Sequence, residues 1–164
     1  MREERIVLGD LELVVARPAH PENLIDERRF EENEFLPYWA DLWPSGLALA
    51  RHVVNLEITG KRVLELGCGL ALPSFAAAAA GARVLATDWA PECIELVAFN
   101  AEANGLTVNA AVLDWTTSKS GDGKRYDLVV AADVLYEPRN VAPLGRLLGE
   151  AVATDGVALI ADPG

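Results

Sequence analysis

The chain has 164 residues, 51% of them hydrophobic, and a formal net charge of -11 at pH 7, which suits one well-buried core and leaves no room for a second. The negative charge disfavours nucleic acid and anionic membranes as partners and favours cationic ligands or basic protein surfaces. The longest apolar run, around residues 75–80, is too short to cross a bilayer, and the first ten residues carry charges instead of an apolar signal region, so we expect a soluble, cytoplasmic protein.

Two short strands are predicted within residues 6–15, around Gly9 and Asp10, a pair typical of a two-residue hairpin turn. A polar, proline-broken stretch follows and runs to residue 35. We interpret residues 1–36 as a hairpin and polar appendage outside the core, and residues 37–164 as the main domain.

Alternating helices and strands are predicted for the rest of the chain. A covering helix follows Pro44. Strands are then predicted at 62–66, 83–87, 108–113, 128–132 and 157–161, helices at 71–80, 91–103 and 139–153, and a surface loop at 116–125. This alternation predicts an α/β fold, a Rossmann-like, doubly wound parallel sheet with helices on both faces. We number the five strands of the sheet from 62–66. Because crossovers are right-handed and the ligand turn follows the first strand, we predict that the strands lie in the order 3-2-1-4-5.

The stretch "RVLELGCGLALPS" (62–74) places a glycine turn after the first strand of this sheet. Gly67 and Gly69 open a helix at the position where doubly wound sheets bind ligands. A dinucleotide-binding motif would need a small residue at position 72, where Leu72 stands. In addition, Glu65 would place a carboxylate beside any phosphate, so the sequence disfavours a nicotinamide-dependent oxidoreductase.

A carboxylate beside such a turn suits a cofactor that carries positive charge. S-adenosyl-L-methionine carries a sulfonium and an α-ammonium, so we predict it as the cofactor, with S-adenosyl-L-homocysteine as the product. Asp88 ends the second strand, where a carboxylate is placed to accept both ribose hydroxyls. Its alternative role is to cap the following helix, and the two roles are compatible.

Several motifs occur in a fixed order along the chain: "PYWADLWPSGLALAR" (37–51), "VLELGCGLALPS", "ATDWAP", "LDW", "ADVLYE" and a terminal "DPG". In this combination the chain resembles the class I, seven-β-strand methyltransferases, and among them the protein-lysine methyltransferases. The resemblance implies S-adenosylmethionine-dependent methyl transfer to a protein lysine. It also implies a sheet that continues past "DPG", so we expect the family's C-terminal strands to be missing and the bare edge strand to favour self-association.

The resemblance assigns a role to each matched residue. The methionine end of the cofactor would be lined by Glu65, Gly67, Cys68 and Gly69. Ribose and adenine would be held by Asp88 and Trp89, and the adenine would be closed in by Asp114 and Trp115. Trp43 would pack over the pocket, and Ala132 would also contact the cofactor. Asp133 and Tyr136, in a D-x-x-Y arrangement, would be the catalytic residues that orient the substrate amine. The alternatives are core roles for the two indoles at 89 and 115, a plain loop carboxylate at 133 and a partly buried aromatic at 136.

Cys68 and Cys93 are too few for a disulfide framework and are not spaced as a metal pair, so we predict reduced thiols and no metal site. The predicted partner is a protein with an accessible lysine. Two other functions stay open: methylation of a small amine in the same pocket, and a non-catalytic scaffold that binds the cofactor.

Overall fold

The computed structural model describes residues 1–25, 36–115 and 123–163. The end of the polar stretch before residue 36 and most of the predicted loop at 116–125 lie outside the described residues. The strands are β1 (Arg2–Leu8), β2 (Leu11–Arg17), β3 (Arg62–Leu66), β4 (Arg83–Asp88), β5 (Val108–Val112), β6 (Tyr126–Ala132) and β7 (Val152–Ala161). The helices are α1 (Pro44–Val53), α2 (Leu72–Ala79), α3 (Pro91–Ala103) and α4 (Pro138–Ala151).

Each of these helices has a proline in its first two positions: Pro44, Pro73, Pro91 and Pro138. Proline suits this place because its missing N–H would have no partner there and its fixed φ is already helical. None of the described helices is long and apolar enough to span a membrane.

Five parallel strands form the main sheet in the order β5-β4-β3-β6-β7, which confirms the predicted order 3-2-1-4-5. The central strand β3 pairs with β4 on one side and with β6 on the other. The order along the sheet therefore reverses at β3, and a crevice opens there beyond the carboxyl ends of the strands.

Helices cover both faces of the sheet, as predicted. On β3, Val63 belongs to a core cluster with Val53 of α1, Phe75 of α2 and Val97 of α3. The next residue, Leu64, belongs to a second cluster with Leu144 and Leu147 of α4. Successive strand residues point to opposite faces, so one strand anchors both layers of the core.

The N-terminal hairpin forms its own two-stranded sheet but is part of the core, contrary to the expected appendage. Its inward side chains belong to the main core cluster: Ile6, Leu8, Leu13 and Val15. The free edge of β2 is paired by α3: the Asn100 side chain accepts a hydrogen bond from Ala16 N (2.8 Å) and donates one to Ala16 O (2.9 Å). These bonds satisfy a buried strand edge that would otherwise lose its hydrogen bonds with water.

The predicted boundary between the last helix and the last strand is wrong. Helix α4 ends at Ala151 and β7 begins at the next residue, whereas Asp155 and Gly156 resemble a turn in the sequence. Gly156 lies within the strand, where an added Cβ would be 2.7 Å from Tyr126 O. A glycine is needed at this close approach, beside an irregular register between β6 and β7.

Candidate active site

A cavity of about 680 Å³ lies at the carboxyl ends of β3, β4 and β6. All residues that the sequence suggested for the cofactor or the substrate line it: Trp43, Glu65, Gly67, Cys68, Gly69, Asp88, Trp89, Asp114, Trp115, Ala132, Asp133 and Tyr136. The fold therefore brings the predicted set together, while the role of each residue stays a prediction.

The glycine turn after β3 leaves little space for side chains. Gly67 and Gly69 have positive φ angles of 66° and 48°. A Cβ on Gly67 would lie 3.1 Å from the Trp115 ring, and one on Gly69 would lie 3.2 Å from Trp39 O. Both positions need glycine for backbone conformation and for the close approach of neighbouring residues.

Glu65 lies buried directly under this turn. Its Oε2 accepts a hydrogen bond from Ser74 N, 2.9 Å away in the first turn of α2. Burial raises the pKa of Glu65 to about 8, although the hydrogen bonds with Ser74 act in the opposite direction. A cation bound nearby would favour the ionised carboxylate.

Asp88 connects the turns that follow β3 and β4. Its Oδ2 accepts a hydrogen bond from Gly69 N (3.0 Å) and its Oδ1 accepts one from Ala90 N (3.1 Å). Burial raises the pKa of Asp88 in spite of these hydrogen bonds. The N-cap residue of α3 is Ala90 itself, and α3 has no side-chain cap, so the alternative role of Asp88 as the helix cap is not observed.

The cavity has a strongly negative lining. In the described parts of the chain, one guanidinium, that of Arg139, lines it together with seven carboxylates: Asp41, Glu65, Asp88, Asp114, Asp133, Glu137 and Asp162. Arg139 also forms an ion pair with Glu137. This lining opposes the pyrophosphate of a dinucleotide and favours a ligand with positive charge.

Asp133 has an unusual conformation for a residue other than glycine. Its φ is +54°, in the left-handed region that aspartate tolerates better than most residues, and its amide donates to Ala161 O (2.9 Å). Its Oδ2 is buried and has no hydrogen-bond partner among the described residues. Trp115 Nε1 is also buried without a partner there. Buried polar atoms without a partner are rare and point to a ligand that completes them.

Three aromatic rings surround the mouth of the cavity. The Tyr38 ring meets Tyr136 edge to face, with centroids 5.6 Å apart, and meets Trp43 in the same way at 5.9 Å. Tyr136 is 59% exposed and its ring packs on Tyr38, so its alternative as a partly buried aromatic stays open. Trp89 is 49% exposed and is not a core residue, whereas Trp115 both packs on the second core cluster and lines the cavity.

Sequence reasoning missed the contribution of the C-terminal "DPG" to the site. Asp162 and Pro163 line the cavity, and Asp162 Oδ2 accepts a hydrogen bond from Leu135 N at 3.3 Å. That bond holds the loop between Asp133 and Tyr136. The available signal was that these residues follow a parallel strand at the same edge of the sheet as the glycine turn.

The two cysteines, 25 residues apart in sequence, lie behind the glycine turn with their Sγ atoms 3.9 Å apart. Both are buried free thiols, and Cys93 Sγ donates to Gly69 O at 3.1 Å. The hydrogen bond with Cys93 and burial raise the pKa of Cys68 well above its usual value. The pKa of Cys93 is lowered by its hydrogen bond with Cys68 but raised overall by burial and by Asp88.

Residues 29–162 match the protein family described as lysine methyltransferase. The chain belongs to this family. It is 37% identical over 132 residues to the electron transfer flavoprotein beta subunit lysine methyltransferase of Danio rerio, which covers 78% of this chain and 50% of that protein. The protein of the same name from Homo sapiens is 34% identical over 132 residues, with the same coverage of each chain. The chain thus spans about half the length of the curated relatives it matches.

A solved structure, described as a putative SAM-dependent methyltransferase from Streptococcus mutans, has the same fold. Its TM-score is 0.67 at 19% identity, and the match covers 98% of this chain and 41% of the other. The lysine methyltransferase family to which the chain belongs is S-adenosylmethionine-dependent, which agrees with the predicted cofactor. The glycine turn, the buried Glu65 and the negative lining fit such a cofactor.

Binding of S-adenosylmethionine is expected to release a proton from Glu65. The pKa of this carboxyl is raised from 4.5 to about 8, so near pH 7 it is largely protonated without the cofactor, and a cationic ligand lowers the pKa again. Affinity should therefore rise as the pH rises towards 8. Calorimetry in buffers of different ionisation enthalpy measures the proton released, and Glu65→Gln should abolish it, whereas Asp127→Asn, at the opposite end of the sheet, should not. A wild-type binding enthalpy independent of the buffer contradicts this assignment.

Proposed function

We propose that the chain transfers the methyl group of S-adenosylmethionine to the ε-amine of a lysine in a protein substrate. The observation that carries the proposal is the buried, unpartnered Oδ2 of Asp133 in the wall of a negatively lined cavity. Tyr136 lies three residues further along, exposed at the mouth. A carboxylate inside and a phenol outside suit an amine that enters at the end of a long apolar side chain.

The reaction needs a neutral amine whose lone pair points at the sulfonium methyl group. A free lysine has a pKa of about 10.4, and a sulfonium cation close to the amine lowers that value, so the proton leaves to solvent before attack. The N–C bond then forms as the S–C bond breaks, and the sulfur leaves as a neutral thioether. The role of the chain is to fix the direction of the amine, which is where most of the rate enhancement comes from.

Asp133 and Tyr136 are the groups proposed to set that direction. The carboxylate of Asp133 accepts a hydrogen bond from the amine, and the Tyr136 hydroxyl contacts it from the other side. Asp133 orients the amine and is not required as a base, because the open mouth lets the proton reach water. The left-handed conformation of Asp133 is fixed by the bond from its amide to Ala161 O, so the carboxylate is held in place before the substrate arrives.

The cofactor is proposed to lie along the carboxyl edge of β3 and β4. Its methionine end lies against the glycine turn over Glu65, and its ribose hydroxyls bond the free lone pairs of Asp88. The remaining proposed contacts follow the predicted set: Trp89, Asp114 and Trp115 at the adenine, Trp43 over the pocket, Cys68 in the turn and Ala132 in the wall.

A protein substrate is supported by the charge of the chain and by its family. The net charge of -11 attracts basic surfaces, which present lysine. The relatives from Danio rerio and Homo sapiens are named for the electron transfer flavoprotein beta subunit, so the corresponding subunit is the first substrate to test.

Transfer of labelled methyl groups tests the proposal. The chain is incubated with S-adenosylmethionine carrying a tritiated methyl group and with the flavoprotein subunit or other lysine-rich proteins. We expect label on lysine, located by peptide mass spectrometry, and no label on the same proteins after their lysines have been chemically acetylated. Label on a free amine and not on protein would favour the small-molecule alternative. Cofactor binding without transfer to any amine would favour the scaffold.

A further inference from the structure

Three ligating side chains from three different elements meet beside the cavity, two in its wall and one behind it. Cys68 lies in the turn after β3, Asp88 ends β4, and Cys93 lies in the first turn of α3. All three residues are buried, and their ligating atoms lie within 4.8 Å of one another.

The separation of the two sulfur atoms fits a tetrahedral metal ion. Two thiolates that bind one Zn²⁺ ion at about 2.3 Å with tetrahedral geometry lie about 3.8 Å apart, and the two Sγ atoms lie 3.9 Å apart here. The carboxylate of Asp88 supplies a third ligand of a type that zinc accepts. Cys68 and Asp88 line the cavity, so the fourth position of the ion would face the cavity and take water.

We propose that Cys68, Cys93 and Asp88 bind a thiophilic divalent cation such as Zn²⁺, and that the bound ion competes with the cofactor. This inference goes against the sequence prediction of no metal site. That prediction used the spacing along the chain, whereas the fold brings the two thiols together. Binding forms two Zn–S bonds and one Zn–O bond, displaces water from the hydrated ion and releases the two thiol protons to solvent, with no oxidation or reduction.

Competition follows from the position of Asp88. Its carboxylate already accepts hydrogen bonds from backbone amides, among them those of Gly69 and Ala90, so a ribose and a metal ion would compete for the remaining lone pairs. A divalent cation at the wall would also repel the sulfonium of the cofactor. The competition rests on the proposed placement of the cofactor, whereas the metal site itself does not.

Metal titration of the reduced, metal-free chain tests the site. Co²⁺ is used as the spectroscopic probe and Zn²⁺ as its competitor, with a phosphine reductant present. We expect one Co²⁺ per chain, a thiolate-to-cobalt charge-transfer band, and loss of the band on addition of Zn²⁺. Cys93→Ser should abolish the band yet keep its affinity for S-adenosylhomocysteine, because Cys93 does not line the cavity and a serine hydroxyl still donates to Gly69 O.

Calorimetry with S-adenosylhomocysteine tests the competition. The apparent Kd of the wild type should rise in proportion to free Zn²⁺, by about tenfold at ten times the zinc Kd, and that of Cys93→Ser should not change. Absence of a thiolate band in the wild type, equal Co²⁺ binding by both proteins, or an unchanged Kd at saturating Zn²⁺ would overturn the proposal.

Loss of both thiols without bound metal, with a mass lower by two hydrogens, would mean a disulfide and would also overturn the metal site. If Cys93→Ser does not fold, Cys93→Ala is used as the variant instead. In that case the cobalt spectrum of the wild type by itself decides whether the metal site exists. A chain that shows the cobalt band but does not bind S-adenosylhomocysteine would contradict the proposed function and the competition, and not the metal site.

Discussion

Replacing Asp133 with asparagine is expected to lower the single-turnover rate of methyl transfer by about a hundredfold or more, with cofactor affinity within a few fold of the wild type. The substitution removes the charge that orients the amine. Asparagine is nearly the same size and also tolerates the left-handed φ of +54°, so the loop should keep its conformation. Rapid-quench measurement of a single turnover gives the rate, and calorimetry gives the affinity.

A rival account of Asp133 makes a different prediction. If the carboxylate acts only by offsetting the sulfonium charge, affinity for S-adenosylmethionine falls while affinity for the uncharged thioether S-adenosylhomocysteine is unchanged. Titration of both ligands against the variant distinguishes the two accounts. A wild-type turnover rate in Asp133→Asn would remove this residue from the active site.

Replacing Asp88 with alanine is expected to weaken S-adenosylhomocysteine binding by a hundredfold or more. Each charge-assisted hydrogen bond to a ribose hydroxyl contributes about 1.5–3 kcal/mol, which is a factor of roughly ten to one hundred and fifty. The variant also loses the acceptor for Gly69 N, which holds the glycine turn. Isothermal titration calorimetry measures the loss.

Asp127→Ala is the matched control for Asp88→Ala. Its carboxylate also accepts a backbone amide, from Arg62 N at 2.8 Å, but at the opposite end of the same sheet. We expect this control to change stability and to leave ligand affinity unchanged. Wild-type affinity in Asp88→Ala would exclude the ribose role, and an equal loss in both variants would mean that general destabilisation is the cause.

The parts of the fold that depend on local pattern could be predicted from the sequence. Short apolar runs that alternate with amphipathic segments gave the parallel sheet, and right-handed crossovers gave its order around β3. The carboxyl ends of parallel strands meet at one edge, so motifs far apart in sequence could be assigned to one cavity. Gly67, Asp88 and Asp133 all line it for this reason.

Features that depend on contacts between distant residues could not be predicted in this way. Nothing local to Asn100 indicates that its side chain pairs the edge of a strand 84 residues earlier. The 3.9 Å approach of Cys68 and Cys93 depends on how α3 packs beside the glycine turn. In the sequence, Asp155 and Gly156 resemble a turn that would separate α4 from β7. In the structure Gly156 lies within β7, where it allows a close approach to β6.

The proposed function requires the cavity beyond β3 and β4 to bind S-adenosylmethionine. Calorimetric titration of the chain with S-adenosylmethionine, S-adenosylhomocysteine and NADH tests it most directly. We expect one site for each of the first two ligands and no binding of NADH, because the acidic residues other than Glu65 that line the cavity would oppose a pyrophosphate. Binding of NADH without binding of S-adenosylhomocysteine would contradict it.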